Sequence, residues 1–206
     1  MPYVERASDL VTEEEARAMV QLKHYGADQQ LLLGLMVGAM SDQIADLCGP
    51  VVRKTVTNEL HADRYGKRLL HLRCGPVTSV TTVQEGADTL TAEAWETAGD
   101  YLLEPHTTDT AVGSGALIRR ASLRDSTWGP NVRVTYVAGR VADTASVPAV
   151  FKEAMQVALR NWWRMEERSL GQTGEFQAPQ LAFPKFALPD AARLALRAER
   201  RPKAMA

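Results

Sequence analysis

The sequence predicts an α+β fold, a helical bundle with an inserted antiparallel β-sheet and an extended C-terminal arm ending in a short helix. Three observations carry this. Apolar residues recur at helical spacing over 28–47 and again over 147–168. Between them, over 51–138, the period changes to alternation and β-branched residues take over. Past residue 170, aromatic residues are interleaved with glycine and proline, a composition that fits a docking arm. The expected organisation is one domain over 1–170, with helices at 12–24, 28–47 and 147–168 around the β region 51–138, and an arm over 171–206.

In chain order, Thr12-Glu13-Glu14-Glu15 has the form of a capping box, in which Thr12 accepts a backbone bond and Glu15 returns one. A short helix bearing Ala16, Met19, Val20 and Leu22 follows. After Gly26, Asp28 is placed to cap a longer helix in which Leu32, Leu35, Met36, Ala39, Met40, Gln43 and Leu47 repeat until Cys48-Gly49-Pro50 ends it. Leu31, Leu33, Val37 and Ile44 widen that stripe beyond the width one neighbouring helix covers, so contact on more than one side is expected.

Five strands read in VVRKTVTNEL, RLLHLRC, VTSVTTVQ, GALIRR and NVRVTYVAG. Turn residues at 63–66, 75–76, 85–86, 113–115 and 129–131 favour short antiparallel connections between them. Ser146 with Val147-Pro148 then opens the third helix, since a proline in the first turn removes an amide that has no intrahelical partner. Val147, Phe151, Ala154, Met155, Ala158, Trp162 and Met165 make one stripe; Val150, Val157, Leu159 and Trp163 make a second edge. Adjacent helical residues point about 100° apart. Trp162 and Trp163 therefore build no single stacking platform for bases, and one indole is expected in the core and the other at a packing interface. The arm carries Phe176, Leu181, Phe183, Phe186 and Leu188, and Pro189-Asp190 starts a terminal helix with Arg193, Arg197, Arg200 and Arg201.

Bulk properties exclude several classes. Of 206 residues, 24 are basic and 25 acidic, so no overall charge draws the chain to nucleic acid or membrane, and any basic site must be local. Cys48 and Cys74 are too few for a disulfide scaffold and lack zinc spacing; buried reduced thiols are expected. The N-terminus is charged where a signal peptide is apolar, and the longest apolar stretch, Leu31 to Met40, is too short to span a bilayer. Synthesis in the cytoplasm and no membrane partner are expected.

The sequence shows no nucleophile elbow, phosphate loop, metal-ligand pair or dinucleotide fingerprint. Gly113-Ser114-Gly115 lacks a following P-loop lysine and reads as a hairpin turn. His61, Asp63 and His71 are the nearest approach to an acid-base or metal cluster, but the four histidines fall in four segments without i,i+4 pairing. The expectation is a non-enzymatic protein with no catalytic residue, metal or cofactor.

Several strings in this order resemble the head-tail connector (adaptor, head-completion) family of tailed bacteriophages: Ile44-Ala45-Asp46-Leu47-Cys48-Gly49 leading into the first strand; Gly75-Pro76-Val77-Thr78-Ser79-Val80; and Val134-Thr135-Tyr136-Val137-Ala138-Gly139, followed by Val147-Pro148 and a long helix ending near Trp162-Trp163. The likeness covers roughly Thr12 to Arg168. It implies a structural virion protein that forms a ring beneath the portal, dodecameric in the virion, with the portal protein and the next neck protein (stopper or tail-completion) as partners. Genomic DNA would pass through the lumen without sequence readout. In a ring the surplus stripes have partners through a heterologous interface, which assigns Leu33, Val37, Val150, Val157 and Trp163 to inter-subunit contacts. The resemblance further implies that the arm docks on the portal through Phe176, Phe183, Phe186, Arg193 and Arg197. Rival readings are another neck or tail-completion protein, and a small hydrolase or ligand-binding module using the histidine-bearing strands.

Overall fold

The structure, a computed structural model, describes residues 5–22, 26–62, 66–92, 99–103, 117–120, 127–171 and 187–200. The fold is α+β. Two compact units are present: Met1–Leu47 with Asp143–Ala198, and Cys48–Ala142 with Glu199–Ala206.

The first unit is helical, with α1 (Glu13–Val20), α2 (Ala27–Cys48), α3 (Ala149–Gly171), α4 (Asp190–Ala195) and a 3-10 turn at Arg197–Glu199. The capping box on α1 is complete: Thr12 Oγ1 accepts from the Glu15 N–H at 3.2 Å, and Glu15 Oε2 accepts from the Thr12 N–H at 3.0 Å. Gln21 closes the helix in the left-handed conformation. At the start of α2 the reciprocal partner is Gln29, not Asp28: the Gly26 N–H donates to Gln29 Oε1 at 3.0 Å, while Asp28 lies inside the first turn. Gly49, at φ 89°, takes the positive-φ conformation just past the end of α2 that an L-residue resists.

The N-terminal segment holds α2 by polar contacts. Arg6 donates to the Gly38 carbonyl at 2.6 Å and to Asp42 Oδ2 at 3.0 Å, and Asp9 receives it as well. A Cβ at residue 38 would lie 2.9 Å from Arg6 Nη2, so glycine makes room for the guanidinium. By length and composition α2 alone among the described helices would pass for a membrane span, yet half of that apolar window is buried and Met36, Met40 and Ile44 are core residues. On α3, Phe151, Ala154, Met155, Ala158, Leu159 and Trp162 are buried, while Met165, predicted in the same stripe, is exposed. Both α1 and α4 pack on α3, and α4 does so with its neighbours Leu188 and Leu196 buried alongside Ala192.

Among the described residues the second unit holds seven strands: β1 (Lys54–His61), β2 (Leu69–His71), β3 (Val77–Glu85), β4 (Asp88–Leu90), β5 (Tyr101–Leu103), β6 (Leu117–Arg120) and β7 (Val132–Ala138). The five predicted strands are all present; β4 and β5, three residues each, are too short to show a period. One sheet has the order β1-β7-β3-β4 and the other β2-β6-β5, with every ladder antiparallel. The expectation of short connections holds for the β3–β4 hairpin but not for β1 and β7, which come from opposite ends of the insertion. The alternation along β7 explains its central place: Val132, Val134, Tyr136 and Ala138 are buried and the residues between them are not. These four join Leu70, Leu72, Val83, Tyr101 and Trp128 in one core. Gly139, at φ 147°, follows β7 where a Cβ would lie 2.5 Å from Arg53 Cα.

Candidate functional site

The most concentrated polar chemistry lies where β1 and β7 face each other. Asn58, at φ 53°, belongs to a register shift between Val56 and Glu59 on β1. Beyond it, Glu59 Oε2 accepts from the Tyr136 hydroxyl at 2.5 Å and Oε1 accepts from the Arg73 N–H at 3.0 Å. The Tyr136 oxygen accepts in turn from the Cys74 N–H at 3.0 Å. His61 Nε2 lies 2.8 Å from Glu59 Oε1, at an angle poor for a hydrogen bond. Both side chains are nearly inaccessible, at 4% and 6% exposure.

Burial works to raise the Glu59 carboxyl, but His61, Tyr136 and the Arg73 amide together hold it below its ordinary value. Burial pushes the Tyr136 hydroxyl up, and its bond to Glu59 adds to the rise, so it stays protonated. The carboxylate's acceptors are thus occupied by groups of the same unit. Such a cluster ties the backbone at Arg73 and Cys74 to β1 and β7. Sequence reasoning considered His61 but missed Glu59 and Tyr136, which stand 77 residues apart and meet only through strand pairing.

His61, Asp63 and His71 are the residues nearest to an acid-base or metal set in the sequence. His61 is buried on β1, His71 is exposed on β2, and Asp63 lies outside the described residues. Among the described residues no group of three or more His, Cys, Asp and Glu is arranged to hold a metal ion. Gly113-Ser114-Gly115 also lies outside them. Cys48 and Cys74 are free thiols; Cys48 is buried and Cys74 half-buried.

The residues predicted at subunit contacts divide. Leu33, Val37 and Trp163 are buried, and so is Trp162, so both indoles are covered by the chain itself. Val150 is half-buried, and Val157 is 40% exposed. Leu31 and Leu35, one turn apart on α2, are exposed as well, Leu35 to 59%. Beside Trp163, a cavity of about 160 Å³ is lined by Val20, Gln21, Arg160 and Arg164. Arg160 Nε donates to the Met19 carbonyl there at 2.7 Å, satisfying an orphan acceptor at the end of α1. Of the predicted docking residues, Phe176, Phe183 and Phe186 lie outside the described residues, whereas Arg193 on α4 and Arg197 in the 3-10 turn are exposed.

No known protein family matches the chain, and no curated protein does. Solved structures do. A chain from the neck of an empty gene transfer agent (GTA) particle computed with C6 symmetry is similar at TM-score 0.55 and 15% identity, over 98% of this chain and 96% of that one. A chain from the neck of the native GTA particle computed with C12 symmetry gives TM-score 0.56 at 14% identity over the same shares. A third, from the virion of the native particle, gives 0.54 at 16% identity over 100% and 96%. At these identities the likeness is one of fold.

Proposed function

We propose that this chain is a structural subunit of the neck of a tailed phage or phage-like particle, located in the virion, and within the neck an adaptor that forms a ring beneath the portal. The observation that carries the reading is the end-to-end fold likeness to chains of particle necks, covering 98% of this chain and 96% of theirs. The C6 and C12 symmetries of those necks fit a subunit that repeats around an axis.

A ring subunit needs apolar surface on two sides of the molecule, because a heterologous contact uses different patches on its two faces. Leu31 and Leu35 on α2 and Val157 on α3, with half-buried Val150, supply exposed apolar surface in the helical unit. With Leu33, Val37 and Trp163 inside the subunit, they become its interface residues. The arm docks on the portal through Phe176, Phe183 and Phe186, with Arg193 and Arg197 meeting acidic portal residues. The work is mechanical, and catalysis has no part in it.

Electron microscopy of the purified chain mixed with the portal of the same particle tests the proposal. A ring capping the portal is the expected image. A chain that ignores the portal but joins isolated tails would instead be a tail-completion protein.

A further inference from the structure

We infer that α2 of one copy lies parallel to α3 of the next, with Leu31 and Leu35 against Val150 and Val157 and with Asp46 reaching the cavity between Arg160 and Arg164. This deepens the proposed function and rests on it for the presence of a neighbouring copy.

One of the two faces is on α2. Residues 31, 35, 39, 42 and 46 recur at helical spacing and share a side of the helix. Leu31 and Leu35 are exposed, Ala39 is half-buried, and Asp42 and Asp46 beyond them are exposed. The face is thus apolar in its first half and acidic in its second, on a helix with no basic residue. Asp42 pairs with Arg6 at 3.0 Å while its side chain stays 63% exposed. Asp46 pairs with no cation among the described residues.

The other face, on α3, has the same order with the opposite charge. Half-buried Val150 and exposed Val157 come first, and Arg160 and Arg164 follow at helical spacing. Arg160 gives its Nε to the Met19 carbonyl, which leaves its two Nη groups, and Arg164 is exposed. Neither guanidinium meets a carboxylate among the described residues. With Val20, Gln21 and buried Trp163 they line the cavity of about 160 Å³, which is far larger than one water requires. Two guanidinium groups converging beside an indole suit a carboxylate.

The two faces also match in length, and their charges set the direction. Leu31 to Asp46 spans 15 residues and Val150 to Arg164 spans 14, about 22 and 21 Å along the helix axes. Laid parallel with Leu31 level with Val150, α2 brings Asp42 level with Asn161, next to Arg160, and Asp46 level with Met165, next to Arg164. Glu153 then faces residues 29–41 of α2, which include no carboxylate. Laid antiparallel with Leu35 level with Val157, α2 would set Asp42 within a turn of Glu153 and leave Asp28 alone for Arg164. Like charges across a contact oppose it, so the parallel order wins. Different faces of the two copies meet, as a ring requires.

The test is a charge exchange in the full chain, scored as rings on the portal by electron microscopy and as self-association of the chain alone by sedimentation. Asp46→Arg and Arg164→Asp, both at exposed positions, should each need about tenfold more protein to assemble, with an unchanged thermal melt. The double variant should return to within about threefold of the parent. A second reading does not rely on charge: a mixture of Asp42→Cys chains with Asn161→Cys chains should form a disulfide-linked pair that neither forms alone. Single reversals that assemble like the parent, absence of the linked pair, or rescue of Arg164→Asp by Asp28→Arg instead of Asp46→Arg would overturn the inference. Glu167→Gln, which removes a carboxylate one turn further along the α3 sequence, should assemble like the parent; assembly that then no longer needs Asp46 would overturn it too. Portal rings that survive every reversal would sink the inference and leave the adaptor reading standing. Self-association that follows the charge exchange while the portal is ignored would break the adaptor reading alone, and a parent that neither caps the portal nor self-associates would overturn both.

Discussion

The helical unit and the β unit use polar side chains differently. In the helical unit the polar contacts are single ion pairs and caps, some of them between distant residues: Arg6 with Asp9, Lys152 with Glu15 across 137 residues, and Arg160 with the Met19 carbonyl across 141. In the β unit a carboxylate, a phenol and an imidazole are drawn inside, and the Glu59–Tyr136 bond spans 77 residues of sequence. Helix stripes need only a neighbour of matching shape, so their burial tolerates many partners. A buried carboxylate tolerates none but its own donors.

The largest effect that would sharpen this contrast is expected from Trp128→Ala, which removes the biggest wholly buried side chain among the described residues and lies in the β core. A loss of about 3–5 kcal/mol in chemical denaturation is expected. A loss below about 1 kcal/mol would show that the β core does not depend on this indole.

Glu59→Gln comes next, with an expected loss of about 1–3 kcal/mol at neutral pH, because the Arg73 amide and Tyr136 hydroxyl lose a charged acceptor. Glu59 is held below its ordinary value in the folded chain, so the unfolded chain binds more protons in that range. Its contribution is complete above the unfolded value, about 4.3, and disappears as pH falls through the lower folded value. The stability gap between parent and variant should therefore narrow on acidification through that window. A gap that stays constant would break the argument that the carboxylate's charge is what the β unit uses.

Thr12→Ala should cost about 1 kcal/mol by removing the hydroxyl half of a complete capping box on α1. The smallest effect on subunit stability, within about 0.5 kcal/mol, is expected for Leu35→Ala combined with Val157→Ala, since both side chains are exposed. Their effect should appear instead as loss of rings on the portal. Trp163→Ala should behave oppositely, destabilising the subunit itself, because that indole is internal.

What the sequence by itself determined is whatever depends on near neighbours. The capping box at Thr12, the glycine stop after Cys48, the proline-led start of α3 and the alternation of β7 are each set by residues within a turn or a strand of one another. The resemblance to phage neck proteins read from the sequence agrees with the likeness of the fold to chains of GTA particle necks. Only the tertiary structure decided the rest. Periodicity says that Leu33, Val37 and Trp163 are apolar and lie on a helix edge; whether that edge is covered by the same chain depends on what packs on it, and here all three are buried. Three-residue strands such as β4 and β5 have no period to read. The placing of β7 between β1 and β3, and with it the meeting of Glu59 and Tyr136, comes from strand pairing, in which the backbone N–H and C=O groups of β7 find partners far away in the chain.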